Sequence, residues 1–311
     1  MLGLAISAVA LAGVGWWAAH QTAPSFPTSS SSLLELAGAL AVYAIATALR
    51  GARWSTILHH AGIVCSPAEP YALTVVGYMG NTVLPLRGGE ILRVVLLSDR
   101  SSAGWREAVG SIVPERLLDV AALAILLIAV TIARIGGEPA GSAPAIVAGA
   151  LFVAAVAGGF GYLALRSRGH LEAFADRIRP FARASRMLFT PRGGALLLLS
   201  VGIWLLEAVV FWLVAEALSL HITVFQALMV DVLASFSALI PAGPAYIGTY
   251  DAAMLLGLRA LDVSASAAIS FTLLVRFVVF VPITALGLIL VVTRYGGIAQ
   301  LARRPAVESA G

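Results

Sequence analysis

Long apolar runs recur along this chain: Leu2–Ala19, Leu33–Leu49, Pro114–Ala133, Pro144–Leu165, Ala195–Leu218 and Ala265–Thr293. Each approaches or exceeds the roughly 20 residues that a helix needs to cross a hydrocarbon core of about 30 Å. Inside lipid every backbone N–H and C=O must find its partner within the protein, which leaves only helices and closed barrels. Barrel strands alternate apolar and polar residues over segments of about ten, whereas residues 121–133 are apolar on every side. With 60% hydrophobic and only 12% charged residues among 311, the predicted fold class is all-α, a polytopic helical membrane bundle.

Two stretches do not read as single crossings. Residues 71–98 and 224–258 are each a pair of short helical pieces broken by Pro and Gly, and Tyr71–Leu84 spans only about 21 Å at 1.5 Å per residue. They read as re-entrant hairpins, the first broken at VLPLRGGE and the second at LIPAGPAYIG. Irregular backbone at membrane depth is tolerated where protein or a wet cavity surrounds it. The order span, hairpin, span then occurs twice, over 33–133 and over 195–293, which suggests an inverted repeat. About six full spans plus two hairpins, eight hydrophobic elements in all, are expected within a transmembrane domain over 1–295. The tail 296–311 reads as disordered.

Charge orients the chain. Arg166, Arg168, Arg177, Arg179, Arg183, Arg186 and Arg192 crowd one connection, while 21–32 carries no charge. By the positive-inside rule the connection 166–192 is a cytoplasmic interfacial segment and both termini are cytoplasmic, in a multi-pass protein of the plasma membrane. The single cysteine, Cys65, forms no internal disulfide, and the five histidines are too scattered for a metal site. No metal, cofactor or nucleic-acid partner is expected, and the sequence holds no G-x-x-x-x-G-K-[ST] nucleotide-binding loop.

Ionisable residues at membrane depth cost several kcal/mol, so each needs a partner, a wet cavity or a function. In NTVLPLRGGEILR, Gly88 and Gly89 free the backbone, and Glu90 and Arg93 are spaced to pair one turn apart, which leaves Arg87 to face an anion. In PERLLD, Glu115, Arg116 and Asp119 share one helical face, with Pro114 read as the start of the span. Arg116 opposes the positive end of such a helix and therefore needs a nearby carboxylate. Arg276 lies near the centre of the last span and is expected to meet Asp251 or Asp231, either as a structural ion pair or as part of a binding site. Trp16, Trp17, Trp54 and Trp105 read as interfacial anchors, and Gly77, Gly80, Gly158 and Gly161 as helix-packing positions.

The ordered motifs N-x-x-L-P-x-R-x-G-E-x-x-R (Asn81, Leu84, Pro85, Arg87, Gly89, Glu90, Arg93), E-R-x-x-D (Glu115, Arg116, Asp119) and a late Pro/Gly break resemble the flippase-like transmembrane family, which includes the membrane domain of lysylphosphatidylglycerol synthases. The upstream Arg50, Arg53 and Trp54 fit it as well. The resemblance implies a bundle with re-entrant helices that moves an amphipathic lipid, or a lipid-linked group, between leaflets. It adds Pro241, Gly243, Pro244, Gly248, Tyr250 and Asp251 of the late break to the expected substrate-binding residues, beside Arg276 from its place at depth. This sequence departs from the pattern at Ala245 and Tyr246, where a Pro-Gly-Gly turn is common, and at Asp251, where Glu is frequent. No segment of it reads as the soluble aminoacyl-transferase domain, so lipid synthesis does not carry over.

The function expected first is a non-enzymatic lipid translocase whose partner is a membrane lipid, an anionic phospholipid or a polyprenyl-linked group. Arg87, Arg93 and Arg116 would attract its phosphate and Glu90 and Asp119 would hold those arginines. A homodimer or a separate lipid-modifying enzyme would be the protein partner. The alternatives are an ion-coupled secondary transporter of a soluble anion and an integral membrane enzyme acting on lipid-linked sugars or phosphates.

Overall fold

Helices here start where a side chain or a proline deals with the first free backbone N–H groups. The computed structural model describes residues 26–85, 87–132, 186–238 and 243–297. Ser29 caps α1 (Ser30–His60), and Pro70 lies in the first turn of α2 (Glu69–Val83). A short break leads to α3 (Gly88–Arg100), and α4 (Trp105–Ile132) follows. After a 3-10 turn at Arg186–Phe189, Thr190 caps α5 (Pro191–Ala217). Thr223 and Gln226 form a reciprocal capping box on α6 (Val224–Ser237). A second break contains the 3-10 turn Pro244–Tyr246 and leads to α7 (Thr249–Arg259), after which Ser264 caps α8 (Ala265–Arg294). Among the described residues there are eight α-helices and no strand.

Three of these helices, α1, α5 and α8, are long and apolar enough to cross a membrane. α4 has 28 residues, ample length, but carries Glu115, Arg116 and Asp119 in its middle. The two expected spans at 2–19 and 144–165, most of the segment 166–192, and the tail beyond 297 lie outside the described residues. The hairpin helices are short: 15 and 13 residues in α2 and α3, 14 and 11 in α6 and α7. At 1.5 Å per residue these are roughly 16–22 Å long, less than the ~30 Å core.

Inter-helix contacts repeat between the two halves. α1 meets α2 as α5 meets α6, α2 meets α3 as α6 meets α7, and α3 meets α4 as α7 meets α8. The halves also exchange elements: α8 packs on α2, and reciprocally α4 packs on α6. α1 and α5, which correspond, pack on each other in antiparallel fashion, since Arg50 meets Glu207, Arg53 meets Ser200 and His60 meets Arg192. Corresponding helices that run oppositely make the repeat an inverted one. Within the second half, α5 and α8 are joined by an edge-to-face pair, Phe211 and Phe271, with centroids 5.8 Å apart.

Three expectations are corrected. α1 does not stop at Leu49 but continues to His60, so Arg50 and Arg53 are buried helix residues rather than loop charges. Pro114 lies inside α4, not at its start, so Glu115 and Asp119 are not first-turn acids. Trp54 is fully buried and donates to Ser111 Oγ at 3.3 Å, so it is no interfacial anchor; the order of helices brings α4 against it.

Candidate functional site

The two breaks meet in the middle of the bundle. In the first, Asn81 at the end of α2 accepts a hydrogen bond from the Gly89 amide at 3.0 Å, which ties α2 to the start of α3. This close approach requires glycine: a Cβ on Gly89 would run into the Gly77 carbonyl and lie 2.6 Å from the Asn81 nitrogen. Pro85 sits exposed in the break. Arg87 adopts a left-handed conformation, φ 57°, and its guanidinium carbon stands 5.9 Å from the ring centroid of Tyr246 in the second break. Gly243 and Pro244 open the 3-10 turn there, and Gly248, φ 91°, precedes α7 as Arg87 precedes α3. Pro241 lies outside the described residues.

Below the breaks lies a layer of charge drawn from five helices. Glu115 is fully buried and accepts from Arg93 through two hydrogen bonds, at 3.2 and 2.7 Å, while Arg116 reaches it at 2.8 Å. Arg53 donates to Asp119 at 2.7 Å and to Ser200 at 2.6 Å, and stands 3.8 Å from Glu115. Arg93 lies over the Trp54 ring at 3.9 Å, and its stem packs onto Gly77, where no side chain stands in the way. The expected Glu90–Arg93 pair does not form, because the rigid fork of Arg93 finds a bidentate carboxylate on α4 instead. Glu90 faces Arg87 at 3.4 Å and Arg116 at 3.8 Å. In the second half Arg276 grips Asp251 with two N–H groups and donates to the Ala245 carbonyl at 3.3 Å. Asp251 also accepts from the Gly248 amide at 2.9 Å, which closes the start of α7.

Arg50 and Glu207 form a further buried ion pair, with Arg50 5.3 Å from the Trp204 ring and 5.7 Å from that of Tyr78. Arg50 and Glu207 were not among the expected substrate-binding residues; the signal was the arginine pair Arg50 and Arg53 at helical i,i+3 spacing. Six arginines (Arg50, Arg53, Arg87, Arg93, Arg116, Arg276) thus pair with five carboxylates (Glu90, Glu115, Asp119, Glu207, Asp251). A sixth carboxylate, Asp231, is fully buried and has no ion pair among the described residues; it is not the partner of Arg276. Its Oδ1 accepts from Ser235 at 3.2 Å, and its Oδ2 has no donor among the described residues.

Two cavities adjoin this layer. One, of about 240 Å³, is polar and central; Arg50, Arg87, Arg116, Glu207, Ser235 and Tyr250 are among its walls. The other, about 410 Å³, is an apolar groove between α3 and α4 lined by Ile91, Val94, Trp105, Val109, Ile112, Val113 and Leu117. Glu90 and Arg116 line both, so they stand between groove and polar cavity. Among the expected binding residues, Arg87, Glu90, Arg116, Asp119 and Tyr250 line the polar cavity. Arg93 and Glu115 act behind it as supports, and Asp251 with Arg276 closes the second half. No group of residues suited to a metal ion occurs among the described residues.

No curated protein and no solved structure matches the chain. Residues 1–287 match the family described as Lysylphosphatidylglycerol synthase TM region. The chain is therefore a membrane protein of the lysylphosphatidylglycerol synthase TM family.

Proposed function

We propose that the protein is a translocase that moves a phosphate-bearing anionic lipid between the leaflets of the plasma membrane without covalent chemistry. The observation that carries this reading is the junction of cavity and groove. Arg87 makes one ion pair among the described residues, with Glu90 at 3.4 Å through Nε, and none with the buried carboxylates Glu115, Asp119 or Glu207. Arg87 and Arg116 border a polar cavity, and Glu90 and Arg116 also border the adjoining apolar groove. A lipid has the matching division, a charged head and apolar tails. The guanidinium fork suits phosphate because it donates two parallel hydrogen bonds.

The hairpin helices, too short to cross alone, support a re-entrant arrangement in which both breaks lie at depth and line the path. The arginine-rich connection supports cytoplasmic termini. The test is flip of fluorescent phosphatidylglycerol in proteoliposomes, read by quenching from outside. Arg87→Ala is expected to slow flip by about tenfold or more, the loss of one charge-assisted hydrogen-bonded contact. Wild-type flip in Arg87→Ala vesicles would overturn this mechanism.

A further inference from the structure

We infer that Asp231 is a proton-binding site coupled to occupancy of the polar cavity, so that one proton is taken up with each anionic headgroup. This rests on the reading of the cavity as a lipid-phosphate site. The inference begins with charge balance. Three arginines and three carboxylates line the cavity (Arg50, Arg87, Arg116, Glu90, Asp119, Glu207), and three more of each stand behind them; five of these six carboxylates are paired among the described residues while Asp231 is not. With every group ionised the site is neutral, and a headgroup monoanion would leave it with one uncompensated negative charge. Burying unbalanced charge away from water is costly. A proton on Asp231 removes that imbalance, because the arginines then exceed the carboxylates by one and the phosphate supplies the missing charge.

The geometry provides the site and its route. Asp231 has no exposed surface, and its free Oδ2 has no donor among the described residues. Ser235, one turn on, donates to Oδ1 and also lines the cavity, so its hydroxyl connects the acid to the space the headgroup enters. The ionisable groups acting on Asp231 from its neighbours are Glu207 on α5 and Arg50 on α1, and it acts in turn on Tyr250 of α7. Arg50 is already held by Glu207, so it does not neutralise Asp231 as well. No bond other than O–H is made or broken: the proton comes from the bulk solution and returns to it when the headgroup leaves.

The test is proton uptake by the detergent-solubilised protein in weakly buffered solution, read with a pH dye as dihexanoyl phosphatidylglycerol is added. At a pH where the free protein has lost the proton, near-stoichiometric uptake is expected in wild type and none in Asp231→Asn, with sodium unable to replace the proton at fixed pH. On the alkaline side, where the free protein has lost the proton, affinity for the lipid should fall about tenfold per pH unit. That slope in wild type needs no variant and stands even if Asp231→Asn fails to fold. Lipid binding without proton uptake, or uptake undiminished in folded Asp231→Asn, would overturn the inference. Failure of translocation shows separately, as linked uptake in detergent without flip in vesicles.

Discussion

Glu90 and Asp251 hold the same position in the two halves: each is the third residue of the second hairpin helix, and each faces an arginine twelfth along the following long helix, Arg116 or Arg276. Their bonding differs. Asp251 is buried and gripped by two N–H groups of Arg276, whereas Glu90 is a quarter exposed and 3.8 Å from Arg116. The internal two-fold is thus kept in sequence position and broken in contact.

That difference sets an order of stability. Asp251→Asn leaves the largely buried Arg276 without its carboxylate, a loss of about 3 kcal/mol, the low end for a broken buried pair. Glu90→Gln removes contacts that are longer and better solvated, each within the ~1 kcal/mol typical of partly exposed pairs. Thermal unfolding in detergent should therefore show a clearly larger drop in midpoint for Asp251→Asn than for Glu90→Gln. Equal drops would mean that the two pairs are equally tight.

Gly89 and Asn81 test how the first break is held. Asn81→Ala removes one hydrogen bond to the Gly89 amide, worth about 1 kcal/mol, plus the cost of a buried amide without a partner. Gly89→Ala puts a methyl group into the backbone of α2, where the obstacle is the Gly77 carbonyl and cannot rotate aside. The glycine substitution should be the more damaging, seen as a lower yield of monodisperse protein by size-exclusion chromatography. A monodisperse Gly89→Ala with an unchanged melting point would refute the close approach of α2 and α3.

The helical class, both breaks and the deep charges of α3 and α4 were legible because Gly, Pro and charge stand out in an apolar sequence. Partners were less so. Arg93 was matched with Glu90 by local i,i+3 spacing, but its bidentate acceptor, Glu115, comes from the next helix. Arg50 and Arg53 fall just beyond the apolar run that ends at Leu49, yet α1 continues and buries them against carboxylates of α4 and α5. Pro114 read as a helix start because proline favours that place. In a membrane bundle neighbouring helices make interior proline tolerable, and Pro282 in α8 is a second case. The inverted repeat was visible as an order of elements, while its reciprocal contacts needed the fold.

Cys65 offers a chemical probe of the α1–α2 connection. Burial and, after it, the negative charge of Glu69 push its thiol pKa up. Less thiolate is then present at a given pH, so alkylation by iodoacetamide at pH 8 should be slower than that of a free cysteine peptide. Removing the charge with Glu69→Gln lowers the pKa toward its ordinary value and should speed alkylation, in protein shown to be folded. Glu69 also accepts from Tyr295 at 2.7 Å and pairs with Arg294, so the same variant should lower the melting point. An unchanged alkylation rate would remove Glu69 as an influence on the thiol.

Arg87 allows stability and function to be separated in one position. Its φ of 57° lies in the left-handed region, which costs a residue with a Cβ about 1 kcal/mol that glycine does not incur. Arg87→Gly relieves that strain and gives up a partly exposed pair with Glu90, itself worth a few tenths to about 1 kcal/mol. The melting point should thus stay level or rise, whereas Arg87→Ala, which keeps the strain and loses the pair, should lower it. Both variants lack the guanidinium and should lose lipid flip together. If Arg87→Gly retained flip while Arg87→Ala lost it, the backbone conformation rather than the charge would be what transport requires of this position.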